Sequence, residues 1–106
     1  QTIFSERVNG LFKLRRNFEI KKGDRVLIVE DVITTGKSSV ECSKLVASSE
    51  ASIVGYACII DRSNGKSEIK EKIVSQIELH IPTYNKDNLP KELSSIKAIK
   101  PGSRDL

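Results

Sequence analysis

Apolar residues along this chain fall into short blocks separated by polar turns, and each block has its own spacing. Val26-Leu27-Ile28-Val29, entered through Lys21-Lys22-Gly23-Asp24 and Arg25, is an unbroken, largely β-branched run. Such a run predicts a central strand buried on both faces of a parallel sheet. From Ser38 onward Val40, Cys42, Leu45 and Val46 recur near helical spacing, while Glu41, Lys44 and Ser48 take the opposite side. That periodicity predicts a helix. Ala51 to Ile60 is the next apolar stretch and runs directly into Asp61-Arg62-Ser63-Asn64-Gly65, so it reads as a second buried strand with polar chemistry at its end. Strand, helix and strand in this order predict a right-handed parallel crossover and an α/β fold.

The flanks are less periodic. Thr2 to Ser5 reads as the end of a strand, and Glu6 to Phe18 as an exposed basic loop or hairpin, with Asn9-Gly10 at its turn and Lys13, Arg15 and Arg16 clustered after it. Ser67 to Ile73 reads as a polar helix, Ile77 to Ile81 as a strand, Lys91 to Ile96 as a short helix, and Lys97 to Leu106 as a polar tail containing Pro101-Gly102. No repeat, low-complexity tract or linker divides the sequence. The expectation is one domain over 1–106, with 1–20 as a mobile basic hairpin and 25–106 as core.

Composition narrows the function classes. Hydrophobic residues make up 38% of the 106 and charged residues 30%, which would suggest disorder if the apolar positions were scattered, but they are clustered. A net charge of +4 suits nucleic acid or a phosphate-rich small ligand equally. Three Phe and two Tyr, none clustered, supply no base-stacking surface, so no nucleic acid is expected. Apolar runs fall far short of the roughly 20 residues of a membrane span, and Gln1 to Glu6 lacks a signal-peptide layout. A soluble, cytoplasmic protein without a membrane partner is expected. Cys42 and Cys58 have neither metal-ligand spacing nor disulfide-scaffold density, and read as reduced, buried packing residues. The sequence has no methionine, which suggests a processed chain or a fragment.

The chemistry converges on Val29-Glu30-Asp31-Val32-Ile33-Thr34-Thr35-Gly36-Lys37-Ser38. At the carboxyl end of a parallel strand, a loop of Thr, Gly and Ser can aim hydroxyls and backbone N–H groups at a phosphate, and the following helix N-terminus adds positive potential. Glu30 and Asp31 offer acceptor-only carboxylates, suited to sugar hydroxyls or, through water, to magnesium. A sugar phosphate is the implied ligand. Gly36-Lys37-Ser38 also matches the end of a nucleotide triphosphate loop, but Asp31 stands where that pattern needs its earlier glycine, and an acid there would repel the phosphates. An ordinary strand-to-helix connection is the bland alternative.

Val29-Glu30-Asp31-Val32-Ile33-Thr34-Thr35-Gly36-Lys37-Ser38 resembles the phosphoribosyl diphosphate (PRPP) loop of type I phosphoribosyltransferases. Within that family the resemblance extends to bacterial orotate phosphoribosyltransferases. Phe4-Ser5-Glu6-Arg7 with Leu14-Arg15-Arg16-Asn17-Phe18 is similar to their mobile catalytic loop, Asp61-Arg62-Ser63 to their orotate-contacting turn, and Ile99-Lys100-Pro101-Gly102-Ser103-Arg104 to their C-terminus. The resemblance implies a type I phosphoribosyltransferase-like parallel sheet with flanking helices, incomplete because only the C-terminal part of the core is matched. It also implies transfer of the phosphoribosyl group of PRPP to orotate in pyrimidine synthesis, with magnesium as cofactor and a homodimer with shared sites. By matching position, Glu30 and Asp31 would hold the ribose hydroxyls, and Val32 and Ile33 would lead into Thr34, Thr35, Gly36, Lys37 and Ser38 around the 5-phosphate. Thr34 and Arg62 would contact orotate, while Arg7 would reach the pyrophosphate. Where the family often has a Lys after the turn glycine this chain has Leu11, and Lys13 is the candidate substitute. No metal ligands are implied beyond magnesium held mainly through substrate. The cysteine pair some relatives carry near Asp87 to Leu93 is absent, so nothing points to zinc, and His80 reads as structural. A regulatory or RNA-binding PRPP sensor of the same fold is the rival reading.

Overall fold

A computed structural model describes residues 1–97 and 99. It begins with a hairpin, β1 (Ser5–Val8) and β2 (Leu11–Leu14), paired antiparallel with Val8 opposite Leu11. The two turn residues, Asn9 at φ 51° and Gly10 at φ 81°, both lie in the left-handed region that a two-residue hairpin loop demands. The basic segment is therefore a hairpin.

Strand β3 (Arg25–Ile33), helix α1 (Lys37–Ala47) and strand β4 (Ser52–Asp61) follow, then β5 (Ile73–Glu78) and a short α2 (Lys91–Ser94). The three later strands form one parallel sheet in the order β3-β4-β5, as the α/β reading expects. Between Val26 and Leu27 the β3–β4 register shifts by one residue, so that Val26 faces Ile53 while Leu27 faces Gly55.

The core lies between one face of this sheet and α1. Ile28, Ile33, Val46, Tyr56, Cys58 and Ile69 are its buried members, with Val26, Val40, Ile53 and Ile73 packed against them. Burial pushes the Cys58 thiol and the Tyr56 hydroxyl above their ordinary pKa values, which keeps both protonated and unreactive. Cys42 is only half-buried, and both cysteines are free.

Three expectations change. The apolar run of β3 is covered on one face only: Leu27 and Val29 are 51% and 66% exposed, and Val54, Ile59 and Val74 are exposed with them. Ser67 to Ile73 forms no helix: the Ser67 hydroxyl accepts the Ile69 N–H at 2.9 Å, and the Glu68 N–H donates to the Thr35 carbonyl at 2.8 Å, which ties the segment to the loop before α1. The last strand runs from Ile73 to Glu78, not from Ile77 to Ile81: its pairing with β4 begins at Tyr56 opposite Ile73 and ends where β4 does, at Asp61 opposite Glu78. No helix among the described residues is long and apolar enough to cross a membrane. Of the closing stretch from Ile99 to Arg104, all but Ile99 lies outside the described residues.

Candidate phosphate and carboxylate site

The strand carrying the acid pair runs further than the sequence suggests. Glu30 and Asp31 sit inside β3, which continues to Ile33. Glu30 lies half-buried on the helix side, where its Oε1 accepts the hydroxyl of the fully buried Ser39 at 3.1 Å. Asp31 lies on the exposed side, with Oδ1 accepting the Val32 N–H at 2.7 Å. Asp31 is thus the more exposed of the two carboxylates, while Glu30 already has a hydroxyl partner.

Ile33, 2% exposed, anchors the end of β3 in the core, and Val32 beside it is partly exposed. Thr34 and Thr35 are exposed, and the Thr35 hydroxyl accepts the Lys37 N–H at 3.3 Å. Gly36 then turns the chain into α1 at φ 76°, and a Cβ there would stand 2.8 Å from Ser67 Oγ and 3.0 Å from Ile69 Cγ1. Only glycine fits on both counts. Gly36 at the N-cap has no side chain to bond the first turn of α1, so the Thr35 hydroxyl reaches only the Lys37 N–H, and Lys37 and Ser38 are exposed at that start. Uncapped N–H groups at a helix N-terminus favour an anion.

Arg62 completes the site from the end of the next strand. Its N–H donates to the Ile33 carbonyl at 2.8 Å, which ties the Asp61–Ser63 turn to the loop. Its Nε is buried and has no hydrogen-bond partner among the described residues. A buried donor without an acceptor is costly, and an anionic ligand would satisfy it only with a shift of the Arg62 side chain, because the atom is closed to the cavity. A cavity of about 480 Å³ joins Thr34, Thr35 and Arg62 with Ser63, Lys66 and His80.

Sequence reasoning missed Lys66 and set His80 aside as structural. The signal for Lys66 was the same as for the loop: polar residues just past the carboxyl end of a parallel strand. Arg7 and Lys13 do not line this cavity. The Arg7 guanidinium pairs with Glu41 on α1 at 2.5 Å, donates to the Gly10 carbonyl at 2.7 Å and lies 4.4 Å from the centre of the Phe12 ring. Lys13 is exposed on β2. Arg15 pairs with Glu6 at 3.1 Å, and Arg16 reaches the same carboxylate at 3.9 Å.

No group of three or more His, Cys, Asp or Glu side chains that could hold a metal occurs among the described residues. A single exposed carboxylate, Asp31, fits a magnesium ion carried in by substrate phosphates and their waters better than a resident ion.

A parallel sheet whose strand-end loop opens a helix beside an arginine with an unpartnered Nε is a frame suited to a phosphate-bearing ligand. The chain belongs to the phosphoribosyl transferase domain family, whose model matches residues 1–90. It is 50% identical over 105 residues to the orotate phosphoribosyltransferase of Bartonella bacilliformis, covering 99% of this chain and 54% of that protein. With the orotate phosphoribosyltransferase of Methylorubrum populi it shares 49% identity over 107 residues, covering 100% of this chain and 55% of the relative. The chain therefore spans about half the length of the curated relatives it matches. Among solved structures, UMP synthase of Leishmania donovani superposes with a TM-score of 0.51 at 30% identity, over 58% of this chain and 15% of that one.

Proposed function

We propose that this chain is part of an orotate phosphoribosyltransferase, and that it holds the 5-phosphate end of PRPP and the carboxylate end of orotate. The observation that carries the reading is the joining, in one cavity, of the loop residues Thr34 and Thr35 to Arg62 with its unpaired Nε. The half-identical relatives bearing that name support the choice of substrates.

In the reaction the bond from the anomeric carbon to the pyrophosphate oxygen breaks, its electron pair leaving with pyrophosphate, while a ring nitrogen of orotate bonds to that carbon. Positive charge develops on the ribose, so electrostatic placement matters more than acid–base chemistry. Thr34 to Ser38 would fix the 5-phosphate, Asp31 would accept from a ribose hydroxyl, and Arg62 would align orotate through directional N–H donors. Magnesium, when bound, supplies charge neutralisation on the leaving pyrophosphate. Arg7 and Lys13 would act at that end from the neighbouring subunit of a homodimer, once Arg7 leaves Glu41. A cytoplasmic site of pyrimidine synthesis follows from the same reading.

Calorimetry with PRPP, ribose 5-phosphate and orotate tests it. The chain should bind all three, and preference for a purine base over orotate would overturn the substrate assignment.

A further inference from the structure

The turn that carries Arg62 is held mostly by itself and by backbone. Ser63 N–H donates to Asp61 Oδ1 at 2.7 Å, Gly65 N–H to Ser63 Oγ at 3.3 Å, and Lys66 N–H to the Ser63 carbonyl at 2.9 Å. At its base, Leu79 N–H donates to the Asp61 carbonyl at 2.8 Å. Its tip, Asn64, is strained into the left-handed region at φ 51° and is exposed. One side chain from outside the turn reaches this tip among the described residues: His80 Nδ1 lies 2.8 Å from Asn64 Oδ1. An amide oxygen can only accept, so Nδ1 carries the hydrogen.

His80 sits just past β5 and lines the cavities on both sides of the turn, one with Thr34 and Arg62 and the other with Asp61 and Glu78. It is therefore placed to set where the turn stands relative to the phosphate loop. We propose that His80 is a positioning residue for orotate, acting through Asn64 to hold the Arg62 turn in register with Thr34. The inference deepens the functional reading above and rests on it. The sequence hides the role, because His80 is sixteen residues from its partner and has no second ligand-type residue nearby.

The hydrogen bond makes the proposal specific. His80→Ala removes the donor, whereas His80→Asn offers an amide N–H near the place of Nδ1–H. Orotate affinity of the chain should fall about three- to tenfold in His80→Ala, the range one neutral hydrogen bond supports, with ribose 5-phosphate affinity unchanged. His80→Asn should recover most of the loss. Asn64→Ala should lose as much as His80→Ala, and the double variant no more than either, since the two act as one pair.

Amide hydrogen exchange gives a ligand-free readout. Exchange at Ser63, Gly65 and Lys66 should accelerate in His80→Ala and return toward normal in His80→Asn. Unchanged exchange and unchanged orotate affinity in His80→Ala overturn the proposal, as does an equal loss of ribose 5-phosphate affinity, which marks a general structural role. Faster exchange with no orotate binding by the unmodified chain would keep the positioning role and overturn the substrate reading instead.

Discussion

At the scale of single residues the site rests on positions with no spare room or charge. Gly36 is the clearest: Gly36→Ala puts a side chain into the left-handed region, costing about 1–2 kcal/mol, and drives its Cβ to within 2.8 Å of Ser67 Oγ. Thermal melting should show the lower stability, and calorimetry a weaker affinity for ribose 5-phosphate as the start of α1 shifts. Asp31 behaves oppositely, being exposed and outside the core. Asp31→Asn should leave the melting temperature in place and weaken PRPP binding roughly tenfold or more, the worth of a charged hydrogen bond. Equal affinity of the two proteins would remove Asp31 from the site. For Arg62→Ala, in an enzyme with its remaining half supplied, the expected outcome is a raised Michaelis constant for orotate, by roughly 1.5–3 kcal/mol in binding, with that for PRPP little changed. An unchanged orotate constant would detach Arg62 from the base.

At the scale of elements, β3, α1 and β4 were legible because each carries its own period: an unbroken apolar run, a helical stripe, and a second run ending in polar residues. The strand-to-helix loop from Thr34 to Gly36 was legible because its residues are contiguous. What local pattern could not show was how far β3 runs, since an acid pair after four apolar residues looks like the end of a strand. The segment from Ser67 to Ile73 was illegible for a related reason: its partners, the Thr35 carbonyl that accepts the Glu68 N–H and the core that takes Ile69, lie far away in sequence. The hairpin shows the same dependence on a distant partner. The hydrogen bond from Arg7 is the main cause that holds the Glu41 carboxyl below its ordinary pKa of 4.5. A depressed folded-state pKa contributes docking strength that is present above the ordinary value and lost as pH falls through the folded one. The hairpin should therefore loosen from α1 as pH drops below about 4.5, and added salt should act in the same direction because the pair is exposed. Nuclear magnetic resonance shifts of the Arg7 and Phe12 side chains follow this directly. Glu41→Gln should abolish the pH response, and a response that persists in that variant would assign it to another group.

At the scale of the whole molecule, one face of the sheet carries the core and the other carries nothing among the described residues. Leu27, Val29, Val54, Ile59 and Val74 stand exposed, and the outer edge of β3 has no strand beside it. Beside that edge lies a cavity of about 240 Å³ whose lining includes Phe4, Phe12, Leu14, Ile20 and Val29. A contiguous apolar surface and a bare strand edge are both association sites in water. Relatives about twice as long have further chain with which such surface can be covered, at 54% coverage in the Bartonella bacilliformis case. The 106-residue chain is therefore expected to associate with itself as concentration rises, and Val29→Lys, placing a charge at the most exposed apolar position of β3, should shift light scattering toward the monomer without unfolding the core. Turnover should be absent in both forms, for a separate reason. In the proposed function the site holds only the 5-phosphate and orotate ends, whereas displacement at the anomeric carbon needs the pyrophosphate end fixed as well, and a substrate held at one end loses the orientation on which much of the rate depends. Assays with orotate, PRPP and magnesium beside light scattering decide both points: a chain that stays monomeric at every concentration and turns over at an ordinary rate would show that the open face needs no cover and that the pyrophosphate is held by residues already present.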